Sequence, residues 1–337
     1  MYDVPAGVLQ MENDVLNGKD LPALGFGTAP MGGLYSEVEA GEAFAMLEEA
    51  WEAGLRYFDT APHYGQGRAE RILGDFLRSR DSESWILSTK VGRLLTRSET
   101  HLDSLNSYAS PLPFNQTYDY TYDGIMRSVE DSYQRLGLNR IDILLVHDIG
   151  RDTHGDKADL YTWQLLESGA RALDELAGSG EIRAVGIGVN EVAISEALIG
   201  TMPLDILLLA GRYTLLDRTA EAHLLPLCLA QDVKVIVGGV FNSGILADCT
   251  STDARWNYGP VPGDVRDGVS RINKACGRYD IPLPCAALAF PRRHDAVTSM
   301  LLGCASRAEL RQCLHWMDEA SALPAEFWQE MTGLGLR

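Results

Sequence analysis

The 337-residue sequence predicts a single (β/α)8 barrel, a TIM barrel, spanning residues 1–337. Three observations carry this expectation. Eight short apolar runs alternate with amphipathic helical stretches almost to the end of the chain. The runs are continuously apolar, as parallel strands buried on both faces are. Several polar side chains stand at the C-terminal ends of these runs, where barrels place their sites. The alternative is a doubly wound open sheet, but no Gly-x-Gly-x-x-Gly follows the first run.

The strand-like runs are Leu24–Thr28, Tyr57–Thr60, Trp85–Val91, Ile141–His147, Ala184–Val189, Asp205–Ala210, Val233–Val240 and Ser299–Cys304. Between them, Val38–Ala53 repeats apolar residues at helical spacing and stops at Gly54, a helix-ending residue. Arg68–Leu77, Thr121–Leu136, Thr162–Leu176, Ala222–Ala230 and Gly263–Cys276 show the same periodicity. Before the first strand, Asn17-Gly18-Lys19 marks a hairpin within Leu9–Leu21, expected to plug the bottom of the barrel. Long connections follow the third strand (Gly92–Tyr120) and the seventh (Leu246–Asp267), both on the functional face.

Composition narrows the function classes. With 29 basic and 47 acidic residues the net charge is -18, which disfavours nucleic acid or an anionic membrane as partner. The six cysteines show neither Cys-x-x-Cys spacing nor pairing with histidine, so neither a metal site nor a disulfide framework is expected. They fit reduced thiols of a cytoplasmic protein. No apolar run approaches the ~20 residues of a membrane helix, and no N-terminal targeting pattern is present. A small-molecule substrate is the expected partner, and oligomeric state is not encoded in any pattern.

Four side chains carry the chemistry: Asp59 and Tyr64 after the second strand, Lys90 ending the third, and His147 ending the fourth. Alone, Lys90 reads as a rim lysine, His147 as a core histidine and Asp59 as a loop cap. Together at strand ends they form the kind of cluster that shifts pKa values at catalytic sites. A phenol with pKa ~10 is a poor base at neutral pH. A neighbouring ammonium lowers that value, a carboxylate orients the ammonium, and a neutral imidazole donates to the substrate oxygen. Tyr64 then exchanges a proton with an alcohol or carbonyl, without a metal.

At these residues the chain resembles the aldo-keto reductase superfamily. Gly25-Phe26-Gly27-Thr28, Asp59-Thr60-Ala61-x-x-Tyr64-Gly65, Ser88-Thr89-Lys90, Leu145-Val146-His147 and Gly186-x-Gly188-x-Asn190 match its pattern in order and spacing. So does Ser128-x-x-x-Ser132-x-x-Arg135-Leu136-Gly137. The resemblance implies bound NAD or NADP, with Asp59, Tyr64, Lys90 and His147 as a catalytic tetrad. It places Thr28 and Asp59 near the ribose and Asn190 on the carboxamide. It places Asn242, Ser243, Gly244 and Leu246 around the pyrophosphate, and Gly303, Ser306 and Arg307 at the adenosine end. The sequence departs from the pattern where Gly238-Gly239 replaces an aromatic, Ala210 a glutamine and Cys313 an asparagine. Arg212, Tyr213 or Phe241 is then expected to complete the nicotinamide pocket.

The stretches around Gly238–Gly244, Ala210–Asp217 and Val91–Leu95 resemble the aldose dehydrogenase branch of that superfamily. This implies NAD-dependent oxidation of a lactol, the cyclic hemiacetal of an aldose or of pyridoxal, to a lactone. The alternatives are an NADPH-dependent aldehyde or ketone reductase and a low-turnover, cofactor-binding regulatory protein. Phe114, Tyr120, Trp256 and Tyr258, on the two long connections, are expected to face the substrate. Glu309, where relatives that prefer NADP carry an arginine, favours NAD, while Arg307 is a competing phosphate ligand.

Overall fold

Eight parallel strands close on one another in the computed structural model, which describes residues 16, 20–100, 104–105, 107–320 and 323–334. They are β1 (Leu24–Gly27), β2 (Tyr57–Asp59), β3 (Ile86–Val91), β4 (Ile143–His147), β5 (Ala184–Val189), β6 (Ile206–Ala210), β7 (Lys234–Gly238) and β8 (Val297–Gly303). Each strand pairs with its sequence neighbours, and β8 returns to β1 to close the ring. The (β/α)8 expectation holds, strand for strand.

Register decides what the barrel encloses. Asp59 lies beside Ser88, Lys90 beside Leu145, and His147 beside Gly188. Side chains alternate between faces along a strand, so Tyr57 shares its face with Asp59, Ile86 with Lys90, and Ile143 with His147. The lower members of these rows form an interior cluster with Ala184, Ile206, Leu208, Ile236 and Leu301. Leu16 and Leu21 are fully buried in the same cluster and cover it from the N-terminal side. The turn at Asn17-Gly18-Lys19 lies outside the described residues. An apolar plug therefore supports the charged residues one layer above it.

The outer ring is α1 (Ala40–Glu52), α2 (Arg68–Leu77), α3 (Tyr122–Leu136), α4 (Ala170–Gly178), α5 (Val192–Leu198), α6 (Leu224–Ala230), α7 (Leu283–Ala289) and α8 (Arg307–Glu319). Thr121 caps α3 by accepting from the Gly124 amide at 3.3 Å, and Gly137 ends it in left-handed backbone. The helix predicted over Thr162–Leu176 is instead a helix at Ala158–Gln164, a π turn at Leu165–Gly169, and α4. The chain widens there because Gly169 packs against the Tyr120 carbonyl, leaving no space for a side chain. No described helix is long and apolar enough to cross a membrane.

Both long connections carry structure. Arg93–Arg97 pairs antiparallel with Phe114–Tyr118, so the connection after β3 is a hairpin whose base holds Arg93 opposite Tyr118. The connection after β7 holds a tight ribbon, Arg255–Trp256 against Gly259–Pro260. Asn257 and Tyr258 form its turn in left-handed backbone. The barrel wall is closest at Gly186, where a Cβ would overlap the Ile206 carbonyl. Gly186→Ala is expected to lower unfolding stability by about 2 kcal/mol or more, through overpacking. An unchanged denaturant midpoint would show that the wall tolerates the extra methyl.

Candidate active site

The barrel mouth opens into a cavity lined in part by Tyr64, Lys90, His147, Asp148, Arg93, Asn190 and Tyr258. The chain after β2 breaks into a short turn that returns Tyr64 over the strand ends. Lys90 rises from the interior face of β3 with its side chain only 2% exposed. Its ammonium donates to Asp59 Oδ1 and Oδ2 at 2.9 and 2.8 Å, to the Thr60 carbonyl at 2.9 Å, and to Tyr64 Oη at 2.9 Å. Ser88 Oγ donates to Asp59 Oδ1 at 2.7 Å and lies 3.0 Å from Tyr57 Oη. Gly188 makes room for the lysine, since a Cβ there would stand 3.3 Å from Lys90 Cε.

The ionisation of Tyr64 moves against the sequence expectation. Burial first, and then the Asp59 carboxylate, hold its phenol well above the ordinary value. The physical reason is desolvation: the phenolate would lose its water in this buried setting and would stand beside the Asp59 charge. The Tyr64 hydroxyl is therefore protonated in this state, with the Lys90 ammonium 2.9 Å from its oxygen.

His147 stands edge-on to Tyr64, the ring centroids 6.0 Å apart. Its Nε2 lies 3.3 Å from Asp148 Oδ2, and its Nδ1 is buried without a hydrogen-bond partner among the described residues. Burial, then the Arg93 and Lys90 charges, push the His147 pKa well below its usual value, so the ring is neutral at physiological pH. Together these groups can give or take a proton at one oxygen and hold that oxygen by a second hydrogen bond.

Such a constellation on a barrel decides the family once the whole chain is compared. The model of the aldo/keto reductase family matches residues 23–335. The chain belongs to that family. This aldo/keto reductase is 43% identical over 332 residues to the pyridoxal 4-dehydrogenase of Microbacterium luteolum, covering 95% of each chain. It is 38% identical over 322 residues to the D-threo-aldose 1-dehydrogenase of a Pseudomonas species, covering 93% of this chain and 94% of that one. In fold it is similar to an aldo-keto reductase of Bacillus halodurans, with a TM-score of 0.72 at 24% identity, covering 95% and 94% of the two chains. Like the family, it is a nicotinamide-dependent oxidoreductase.

The remaining residues singled out in the sequence of this aldo/keto reductase divide by position. Asn190, Gly188 and Ala210 all line the cavity. Thr28 is buried and donates to the Asp59 carbonyl at 2.9 Å, joining β1 to the site. Asn242, Ser243 and Gly244 are consecutive left-handed residues, and the position of a Gly244 Cβ opens onto free space. Ser243 and Gly244 are half-buried there, and such a left-handed backbone turn suits an anion contact. The Asn242 side chain is committed inward, to Thr214 Oγ1 and the Gly211 carbonyl, and Leu246 is fully buried. Gly303 is exposed at the end of β8, and Ser306 caps α8 by accepting from the Glu309 amide at 3.2 Å.

Four expected contacts lie elsewhere. Tyr213 is buried against Phe290 at 4.9 Å instead of lining the cavity. Arg212 takes the cavity position, donating to the Asn190 carbonyl at 2.7 Å and to Asn257 Oδ1 at 3.0 Å. Tyr120 stands behind the site, its hydroxyl donating to the His147 carbonyl at 2.7 Å. Phe114 pairs with Arg97 at the far end of the hairpin, whereas Tyr118 at its base reaches the cavity. Trp256 is buried under its ribbon, and the turn residue Tyr258 lines the cavity.

Sequence reasoning passed over Arg93, Asp148, His63 and Tyr108, all cavity residues. His63 has a signal of its own, lying directly before Tyr64. His63 and His147 both have pKa values pushed well below the usual value, first by burial and then by Arg93. Each is neutral when folded and charges more readily when unfolded, so stability falls as pH drops below the unfolded value of ~6.5. The His147 ring is expected to remain neutral below pH ~6 by NMR titration, and a midpoint near the ordinary ~6.5 would contradict the buried environment.

Proposed function

We propose that the protein oxidises a lactol, the cyclic hemiacetal of an aldose or a pyridoxal-like aldehyde, to its lactone with NAD. The observation that carries this reading is the Tyr64 hydroxyl, held 2.9 Å from the Lys90 ammonium beside a neutral imidazole at the cavity floor. The pyridoxal and aldose dehydrogenases among the relatives support the substrate class. Asn190, the turn Asn242–Leu246 and the segment from Gly303 to Arg307 would hold the cofactor. When bound, the nicotinamide supplies the hydride acceptor at its C4.

The protein's own residues handle the proton. His147 Nε2 donates to the reacting oxygen and fixes it beside Tyr64. Tyr64 takes the proton from the hydroxyl oxygen as a hydride leaves the carbon that bears it, so the alcohol loses one proton and one hydride, two electrons and two protons in all. Lys90 stabilises the phenolate that begins the step, and Asp59 keeps the ammonium aimed at it. Run in reverse, Tyr64 gives its proton to a carbonyl, which suits its raised pKa.

NAD is favoured over NADP by the carboxylates at the start of α8. Glu42 accepts from the Arg307 amide at 2.9 Å and from its Nε at 3.0 Å. Glu309 accepts from the Ala305 amide at 2.8 Å. The guanidinium that would bind a 2′-phosphate is already paired, and the helix N-terminus is already served by acidic groups. A second phosphate there meets two carboxylates, whereas a ribose hydroxyl can donate to them.

Tyr64→Phe is expected to reduce kcat by about 10²-fold or more while leaving NAD affinity near wild type. Near-normal turnover in that variant would sink the mechanism. Because the phenol starts protonated, oxidation is expected to accelerate as pH rises above neutrality, and carbonyl reduction to slow. Parallel pH profiles in the two directions would contradict this. Glu42→Gln with Glu309→Arg is expected to narrow the NAD preference, read as the ratio of kcat/KM for the two cofactors on one substrate. A wild-type preference for NADP would overturn the assignment.

A further inference from the structure

A hydrogen-bond acceptor is left over beside His147. Asp148 follows that histidine in left-handed backbone, with φ +43, a conformation that costs a non-glycine residue about 1 kcal/mol and clusters at functional sites. Asp148 Oδ2 takes the Arg93 guanidinium and lies 3.3 Å from His147 Nε2. No hydrogen bond engages Oδ1 among the described residues. The Asp148 side chain is 22% exposed and lines the cavity, while that of Arg93 is 4% exposed. Arg93 Nη1 also donates to Gln116 Oε1 at 3.3 Å, so the guanidinium is fixed from the hairpin side. Proton exchange at Tyr64 requires neither residue.

The geometry of a substrate gives this pair a use. An oxygen bound by His147 Nε2 sits about 2.9 Å from it, within reach of the same carboxylate. Oxygens on adjacent carbons lie roughly one hydrogen-bond length apart, so a second hydroxyl on the next carbon falls against Asp148. Burial raises the Asp148 carboxyl, opposed by the Arg93 and then the Lys90 charge. The Arg93 ion pair anchors one oxygen and leaves the other to accept.

We propose that Asp148, anchored by Arg93, is a specificity-determining residue that accepts a hydrogen bond from the hydroxyl on the carbon next to the reacting one. This rests on the dehydrogenase reading and narrows it to substrates with a vicinal hydroxyl, which an ordinary aldose carries at C2. A simple aldehyde displaces water from the cavity without serving this carboxylate oxygen, and sites built to bind a hydroxyl reject analogues that lack it.

The test compares NADH-linked reduction of 2-hydroxypropanal and propanal, which differ only in that hydroxyl. The wild-type enzyme is expected to favour 2-hydroxypropanal by about tenfold or more in kcat/KM. Asp148→Asn is expected to reduce that preference toward parity, chiefly by losing efficiency on 2-hydroxypropanal. Asp148→Glu keeps the charge opposite Arg93 but displaces the acceptor, and is expected to reduce the preference as well, which covers an asparagine variant that fails to fold. Equal losses on both aldehydes would mean that Asp148 acts through His147 and would overturn the proposal, as would a wild-type enzyme with no preference. Wild-type enzyme inactive on every aldose, pyridoxal and both aldehydes would overturn the dehydrogenase reading itself.

Discussion

The active site depends on the buried ion pair between Lys90 and Asp59. Its two side chains are 2% and 4% exposed, so each charge would be costly to desolvate alone. Breaking such a pair from one side costs ~3–5 kcal/mol, because the other charge is left unpaired. The pair is extended on both sides, from Tyr57 through Ser88 to Asp59, and from Lys90 to Tyr64. The plug of apolar side chains below it excludes water, and Gly188 supplies the space the lysine needs. Stability and catalysis thus draw on the same hydrogen bonds, which explains why the lysine cannot be spent wholly on the phenol.

A second set of contacts ties the rim of the cavity together. Arg212 joins the carbonyl of Asn190 after β5 to Asn257 in the ribbon after β7, with Asp217 at 3.2 Å on its other side. One guanidinium thereby fixes the relative positions of the flank expected to meet the nicotinamide and the turn bearing Tyr258. An arginine suits this because its planar fork serves several acceptors at once. The aromatic that family members often place on the seventh strand is replaced by glycine, and Arg212 supplies order at that flank by hydrogen bonding.

The barrel was legible because its strands are buried on both faces and its helices are amphipathic. Those are burial patterns, and burial leaves a direct trace in sequence. The same logic explains α5 and α7, which escaped notice. Each has seven residues, and α7 is buried from Leu283 to Leu288, so no polar face marks its period. Of the residues singled out as a tetrad, Asp59, Lys90 and His147 were visible because they stand at the ends of predicted strands, and Tyr64 because it closes the Asp59-Thr60-Ala61-x-x-Tyr64 pattern. Arg93 and Asp148 were not, since each follows a strand by a residue or two and their pairing spans 55 positions. The aromatic residues of the long connections were visible by type, but which of them turn inward depends on hairpin register and on left-handed turn residues. Tyr118 and Tyr258 face the cavity while Phe114 and Trp256 do not, a difference of two to four positions.

Only Val91 and Gly92 separate Lys90 from Arg93, the first residue of the hairpin. The hairpin is consequently an extension of a catalytic strand and not an independent appendage. Its base cannot drift without pulling on the lysine, and the segment beyond the Arg97–Phe114 pair is tied back to the barrel mouth: the Ser107 carbonyl accepts from the Tyr35 amide at 2.8 Å, and the Ala109 and Leu112 amides donate to the Gly33 and Gly65 carbonyls at 2.9 and 3.0 Å. Both ends of the connection are thus pinned to the mouth of the barrel, and Tyr108 within it stacks on Tyr64 with the ring centroids 6.3 Å apart. Exchanging this connection at its root would therefore replace part of the cavity wall, Arg93, Tyr108 and Tyr118, together with the strand end that bears Lys90, as one heritable unit.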